Sequence, residues 1–154
     1  MPELPEVETV ARKLAPHLES KKLLDVKIID SKLKNRAFKK LEGKKVKAVE
    51  RHGKEVVLDL EDNYLSVHLR MTGRLLWRKK KDISDREKHV RARFSFRDGV
   101  LDFVDVRRFG TIEYSKEKKE ISAIDPTTKA FTKKAFKELI SNSKQAAKVW
   151  LLRQ

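Results

Sequence analysis

The chain has 154 residues, of which 39% are hydrophobic and 40% charged, with a formal net charge of +15 and no cysteine. That length supports one full core, or one domain and part of a second. The absence of cysteine excludes disulfides and thiolate zinc sites within these residues. No apolar run is long enough to span a membrane, and the N-terminus lacks the basic-then-apolar order of a secretory signal. The positive excess points to polyanionic partners, nucleic acid foremost, with a thermophile-like charged surface as the bland alternative.

Val7, Val10, Ala11, Leu14 and Leu18 recur at three- and four-residue spacing, which predicts one amphipathic helix. Pro5 suits its first turn, and the acids near that end favour the helix dipole. From Leu23 the period changes to two. Leu24, Val26 and Ile28 alternate with polar residues, as do three further sets: Val56, Leu58, Leu60; Leu65, Val67, Leu69, Met71; and Val90, Ala92, Phe94, Phe96. Each set predicts a half-buried strand. Glu61-Asp62-Asn63 and Arg97-Asp98-Gly99 read as hairpin turns. The lysine-rich run from Arg78 to Lys81 reads as an exposed loop.

Seven or eight strands ending near Tyr114 predict an α+β, mainly β fold. It is a two-layer antiparallel β-sandwich or flattened barrel with an N-terminal helix, followed by two short C-terminal helices. The domain boundaries expected are 1–115 for the sandwich, 116–124 for a charged linker, and 125–154 for the start of a second domain. There Thr132 is the expected N-cap of a helix through Phe136, Leu139 and Ile140. A further helix is expected from near Ser143 through Val149, Trp150 and Leu151. Two short helices cannot bury both their faces, so the chain is expected to stop inside a domain, and the exposed helices offer faces for self-association.

Four stretches carry residue types suited to chemistry. In MPELPEVETV, loss of the initiator methionine would leave Pro2 with a free secondary amine. A generic N-terminal amine has a pKa of about 7.7–8.0, so an appreciable share is uncharged at neutral pH. Such an amine can attack an electrophilic sugar carbon, with Glu3 and Glu6 beside it for proton transfer. Taken alone, the stretch reads first as an acid-decorated helix start. RHGKEVVL places Lys54 in a basic turn between two strands. HLRMTGR ends at a glycine; Met71 is core if the strand continues, or an apolar wedge if the strand stops. DVRRFG sets Arg107 and Arg108 beside Phe109, a charge fork next to a ring that can slip between bases. His89 reads as a structural histidine, and four histidines without cysteine form no metal set.

Together, in this order and spacing, the four stretches resemble the bacterial formamidopyrimidine-DNA glycosylase family, along essentially the whole chain to KVWLLRQ. The resemblance implies a base-excision repair enzyme, a bifunctional DNA glycosylase and abasic-site lyase. It would remove oxidised purines such as 8-oxoguanine and formamidopyrimidines through a proline Schiff base with β,δ-elimination. It implies Pro2 as nucleophile, Glu3 and Glu6 as pocket carboxylates, and Lys54 as a phosphate contact near the lesion. Met71, Arg107 and Phe109 would fill the gap left by the flipped nucleotide, with His89 and Arg108 on phosphates. The implied partner is double-stranded DNA carrying an oxidised base or abasic site, in a bacterial-type cytoplasm at the nucleoid.

The resemblance also implies that the rest of a helix–two-turn–helix domain and a four-cysteine zinc finger lie outside this chain. No cofactor is therefore expected within it, and catalysis by these residues alone is expected to be weak or absent. A non-catalytic DNA-binding module that retains the sandwich is the competing reading.

Overall fold

The computed structural model describes residues 1–84, 88–119 and 124–152. They fall into two compact units, Met1–Lys119 and Glu120–Gln154. In the first, helix α1 (Leu4–Leu18) forms where the three-and-four spacing predicts it and buries Val7, Ala11, Leu14 and Leu18. Its start is held by Glu6, whose Oε2 accepts the Glu3 backbone N–H at 3.0 Å, and Pro5 occupies the first turn without losing a bond.

Eight strands follow among the described residues: β1 (Asp25–Ile28), β2 (Ala48–His52), β3 (Glu55–Asp59), β4 (Tyr64–His68), β5 (Arg74–Lys79), β6 (Val90–Ser95), β7 (Gly99–Val104) and β8 (Thr111–Ser115). They make two four-stranded sheets, ordered β1-β6-β7-β5 and β2-β3-β4-β8, with every pairing antiparallel. The expected α+β, mainly β architecture is the one observed. One cluster unites Val7, Leu14 and Leu18 of α1 with Val56, Leu58, Leu65 and Val67 of one sheet and Ala92, Phe94, Leu101 and Phe103 of the other. Each fully buried valine, leucine or phenylalanine of this cluster contributes about 1.5–3 kcal/mol of transfer free energy, and together they make the platform rigid.

Three local expectations need correction. Alternation from Leu65 extends a strand to Met71, but β4 stops at His68. Arg70 adopts φ 52°, a left-handed conformation that ends pairing and turns Met71 outward, half exposed. The run from Arg78 to Lys81 is not a loop throughout. Arg78 and Lys79 belong to β5, because the Arg78 guanidinium lies 3.3 Å from the buried Asp102 carboxylate. Arg93 takes the same carboxylate through two bonds of 2.6 and 2.9 Å. The last helix also starts late.

In the second unit, α2 (Lys133–Ile140) is capped as expected, with Thr132 Oγ1 accepting from the Ala135 N–H at 3.1 Å. Residues 141–146 then turn, because Ser143 Oγ accepts the Gln145 N–H at 3.3 Å and so offers the backbone a non-helical bond. Helix α3 therefore spans only Ala147–Leu151. Phe136 packs edge-on against Phe131 and Trp150 at 5.9 and 5.8 Å.

Candidate active site at the N-terminus

Pro2 and Glu6 line a cavity of about 400 Å³ with Val10, Leu69, Met71 and Thr72 among its other walls. Helix α1 thus delivers the first residues of the chain to the turn between β4 and β5. With Met1 attached, the Pro2 nitrogen is a tertiary amide and has no free lone pair. Removal of Met1, which is half exposed, turns that nitrogen into a secondary amine at the cavity wall.

Two ion pairs tie α1 to the β2–β3 hairpin. At its tip, Lys54 Nζ lies 2.7 Å from Glu3 Oε2; both groups are partly exposed, so the pair adds little stability. Deeper, Arg51 Nε meets Glu8 Oε2 at 2.9 Å, and its guanidinium also donates to the Gly53 carbonyl at 3.0 Å. The Arg51 side chain is only 4% exposed, which makes it the firmer tie. Arg12, 2.7 Å from Glu8, is the main cause holding that carboxyl below its usual range; burial opposes the shift and Arg51 adds to it. Gly53, at φ 56°, gives the hairpin the left-handed turn that aims Lys54 back toward Glu3.

The second half of the site is the loop 105–110 joined to the β4–β5 turn. Asp105 is fully buried. Its Oδ1 accepts the Thr72 hydroxyl at 2.5 Å and the Arg107 N–H at 3.1 Å, while Oδ2 accepts the Gly110 N–H at 2.8 Å. Burial alone would push this carboxyl up, but hydrogen bonds from Thr72, Gly110, Arg107 and Phe109 outweigh it and hold the group below its ordinary value. One carboxylate therefore fixes the residue after Met71 and the backbone that carries Arg107 and Phe109. Phe109 and Val106 are more than half exposed, and the Arg107 guanidinium stacks 4.7 Å above the Phe109 ring.

Gly73 and Gly110 permit this close packing. A Cβ on Gly73 would lie 2.4 Å from the Leu69 carbonyl oxygen, and one on Gly110 would lie 2.5 Å from Phe103 Cζ. Arg108 points elsewhere than its neighbours. Held at φ 59°, its guanidinium makes two bonds to Asp30, at 2.6 and 2.5 Å. That contact is the main reason the Asp30 carboxyl lies at about 2. Arg91 completes the support by donating to the Asp105 carbonyl at 2.7 Å, from a register shift in β6 between Val90 and Ala92.

Of the residues expected from sequence, Pro2, Glu6 and Met71 share one cavity, Glu3 and Lys54 form one ion pair, and Arg107 and Phe109 form one stack. His89 is exposed with φ 70°, and its carbonyl accepts the Asp105 N–H at 3.0 Å. The supporting roles of Asp30, Asp105, Thr72, Arg91 and Glu8 were not expected, and Arg51, expected only as part of a basic turn, is instead buried against Glu8. Asp105 did leave a signal: it interrupts the otherwise apolar run Phe103-Val104-Asp105-Val106, where a charge has to be paired if the backbone stays buried. Among the described residues no three His, Asp or Glu side chains gather as a metal site. None of the described helices is long and apolar enough to cross a membrane.

Fold and site together define a helix-backed β-sandwich domain whose chemistry-bearing residues surround its own N-terminus. The chain belongs to the formamidopyrimidine-DNA glycosylase family: the profile of that family's N-terminal domain matches residues 1–112. The formamidopyrimidine-DNA glycosylase of Carboxydothermus hydrogenoformans is 38% identical over 160 residues, covering 100% of this chain and 59% of that protein. The enzyme of that name from Lactococcus lactis subsp. cremoris is 34% identical over 167 residues, covering 100% of this chain and 60% of its own. A Lactococcus lactis formamidopyrimidine-DNA glycosylase non-covalently bound to DNA containing an abasic site superposes with a TM-score of 0.83 at 31% identity, covering 98% of this chain and 62% of that one. The chain thus spans about 60% of the length of these relatives.

Proposed function

We propose that this chain carries the catalytic half of a DNA glycosylase and abasic-site lyase acting on oxidised purines in duplex DNA. The carrying observation is the convergence of Pro2 and Glu6 with Met71 on one cavity, beside the 2.7 Å Glu3–Lys54 pair. Family membership and the DNA-bound relative of the same fold support the assignment.

A target nucleotide inside a stacked duplex hides its C1′, so it must be extruded at a cost of a few kcal/mol. Met71 and Phe109, both half exposed, fill the vacated space and offset that cost. Arg107, already poised over Phe109, faces the unpaired base opposite. After Met1 is removed, the Pro2 amine bonds to C1′ as the glycosidic C1′–N bond breaks; the departing base takes a proton from solvent, and the Pro2 nitrogen passes its own proton to Glu3. Glu3 delivers a proton to the ring oxygen, the sugar opens, and an iminium links Pro2 to C1′. That iminium acidifies the C2′ proton; its loss expels the 3′-phosphate by β-elimination, and a second elimination expels the 5′-phosphate. In the free protein Lys54 neutralises Glu3. When Lys54 moves to a DNA phosphate, Glu3 is released to exchange protons.

Borohydride trapping tests the proposal. Protein confirmed by intact mass to lack Met1 is incubated with duplex DNA containing 8-oxoguanine or an abasic site, then reduced. The expected result is a covalent adduct mapped to Pro2, absent from protein that retains Met1. Salt-sensitive binding without any adduct would overturn the catalytic reading and leave a DNA-binding module.

A further inference from the structure

Away from the N-terminal site lies a second cavity, of about 460 Å³, between the edge strand β1 and the two short 3-10 turns Ser31–Leu33 and Arg36–Leu41. Its volume falls within the roughly 300–1,000 Å³ of ligand-binding clefts. Val26, Ile28 and Phe38 line it, with Phe38 and Val26 buried, while Lys34, Arg36 and Lys39 stand around it. At the two ends of β1, Leu24 and Ile29 are each about half exposed. The apolar lining therefore continues onto exposed apolar surface.

The charge around this cavity is lopsided. Residues 27–45 contain eight lysines and arginines against two acids, Asp30 and Glu42. Both acids are already neutralised from within the fold: Asp30 by Arg108, and Glu42 by Lys39 at 2.7 Å. Lys34 and Arg36 are exposed, and their side chains make no hydrogen bond or ion pair among the described residues. An apolar hole flanked by two unpaired cations, Lys34 and Arg36, with Lys39 already paired to Glu42 and Asp25, is complementary to an acidic chain that carries a bulky apolar side chain. DNA matches it less well. A duplex presents phosphates outward and keeps its bases stacked, so it has nothing apolar to place in the hole. Strand addition to β1 is also obstructed, because the Val26 N–H already donates to Glu42 Oε1 at 3.0 Å. Recognition must then run through side chains.

We propose that this cavity is a docking site for an acidic peptide segment of a partner protein, with an aromatic or large aliphatic side chain seated against Val26, Ile28 and Phe38. Carboxylates of that segment pair with Lys34 and Arg36. The site is separate from the N-terminal amine and does not depend on its chemistry.

The test uses the chain as it stands and a fluorescent heptapeptide of aspartates and glutamates around one central phenylalanine. Controls are the same peptide with alanine in place of phenylalanine, and single-stranded and duplex DNA of matched charge. Binding is followed by anisotropy at about 0.1 M salt and mapped by amide and methyl NMR shifts. The phenylalanine peptide is expected to shift Val26, Ile28 and Phe38 and to bind at least tenfold more tightly than the alanine peptide. The double variant Lys34→Glu, Arg36→Glu is expected to lose at least tenfold in affinity with an unchanged far-UV spectrum and melting temperature. Should that variant fail to fold, the phenylalanine-to-alanine comparison and the NMR map decide on the wild-type chain. Equal binding of the two peptides would overturn the proposal. So would shifts confined to other residues, or DNA perturbing Val26, Ile28 and Phe38 more than the peptide does.

Discussion

Asp105→Asn is the most direct perturbation of the site's frame. The substitution preserves shape but replaces one acceptor oxygen with an NH2 group. If the remaining oxygen keeps Thr72 and Arg107, the new amide nitrogen faces the Gly110 N–H that Oδ2 now accepts at 2.8 Å. That buried donor is left unpaired, at a cost of about 1–3 kcal/mol. The surviving bonds also lose their charge assistance, which weakens them by about half. Relief from burying a charge offsets part of this, leaving a net loss of about 2–3 kcal/mol. Urea unfolding of wild type, Asp105→Asn and an exposed control, Asp98→Asn, measures it; the control should lose less than about 1 kcal/mol. The pH dependence supplies a second reading. Asp105 is held below its ordinary value, so its contribution is present above the normal carboxylate range and is lost as pH falls through the lowered value. The deficit of the variant should therefore shrink on acidification. A deficit under about 0.5 kcal/mol at pH 7, or one that stays constant with pH, would refute the assignment of Asp105 as the organiser of this loop.

The Asp30–Arg108 pair predicts its own acid transition: with the Asp30 carboxyl at about 2 against about 3.9 unfolded, the pair contributes about 1–2 kcal/mol after allowance for the partly exposed arginine. That contribution is present above about pH 4 and lost toward pH 2, so stability curves of wild type and Arg108→Met should converge over this window; a pH-independent gap counts against it. Gly110→Ala forces a methyl to 2.5 Å from the fully buried Phe103 ring, and should cost about 1–3 kcal/mol and lower the thermal midpoint by at least about 3 °C in calorimetry. Phe109→Ala removes a half-exposed ring, so stability should hold within about 0.5 kcal/mol while affinity for an abasic-site duplex falls about tenfold by anisotropy. Unchanged affinity would remove Phe109 from the wedge.

What could be read from sequence followed from period and local chemistry. Val7, Ala11, Leu14 and Leu18 declare their helix because one face of a 3.6-residue repeat must be buried, and Val90, Ala92 and Phe94 declare their strand because the pleat alternates. Period failed at Met71. Nothing in Leu65-x-Val67-x-Leu69-x-Met71 says that pairing ends at His68, since the interruption is a backbone angle at Arg70. Composition failed at Arg78, where a basic run is split by one buried carboxylate that lies 24 residues further along the chain, at Asp102. The site divides in the same way. Side chains that face outward were legible from their motifs, whereas Asp105, Asp30 and Arg51 act through partners far away in sequence, such as Thr72, Arg108 and Glu8.

That division has a physical cause visible in the backbone. Six non-glycine residues among those described have positive φ, and three of them, Arg70, His89 and Arg108, border the candidate site. Each such conformation costs on the order of 1 kcal/mol or more, so it persists only where surrounding bonds over-determine it. Around Arg70 and Arg108 those bonds are the Thr72–Asp105 contact and the double Arg108–Asp30 contact; at His89 it is the Asp105 N–H on the carbonyl. Asp105 therefore serves two of these three strained positions, and two of the three, Arg70 and Arg108, lie in the segments that present Met71, Arg107 and Phe109. A rigid sandwich holds these side chains out in water before any ligand arrives, so little of their ordering remains to be done when one binds. Loss of a single buried carboxylate would return that ordering cost to the binding step, which is why Asp105 should influence DNA affinity without touching DNA.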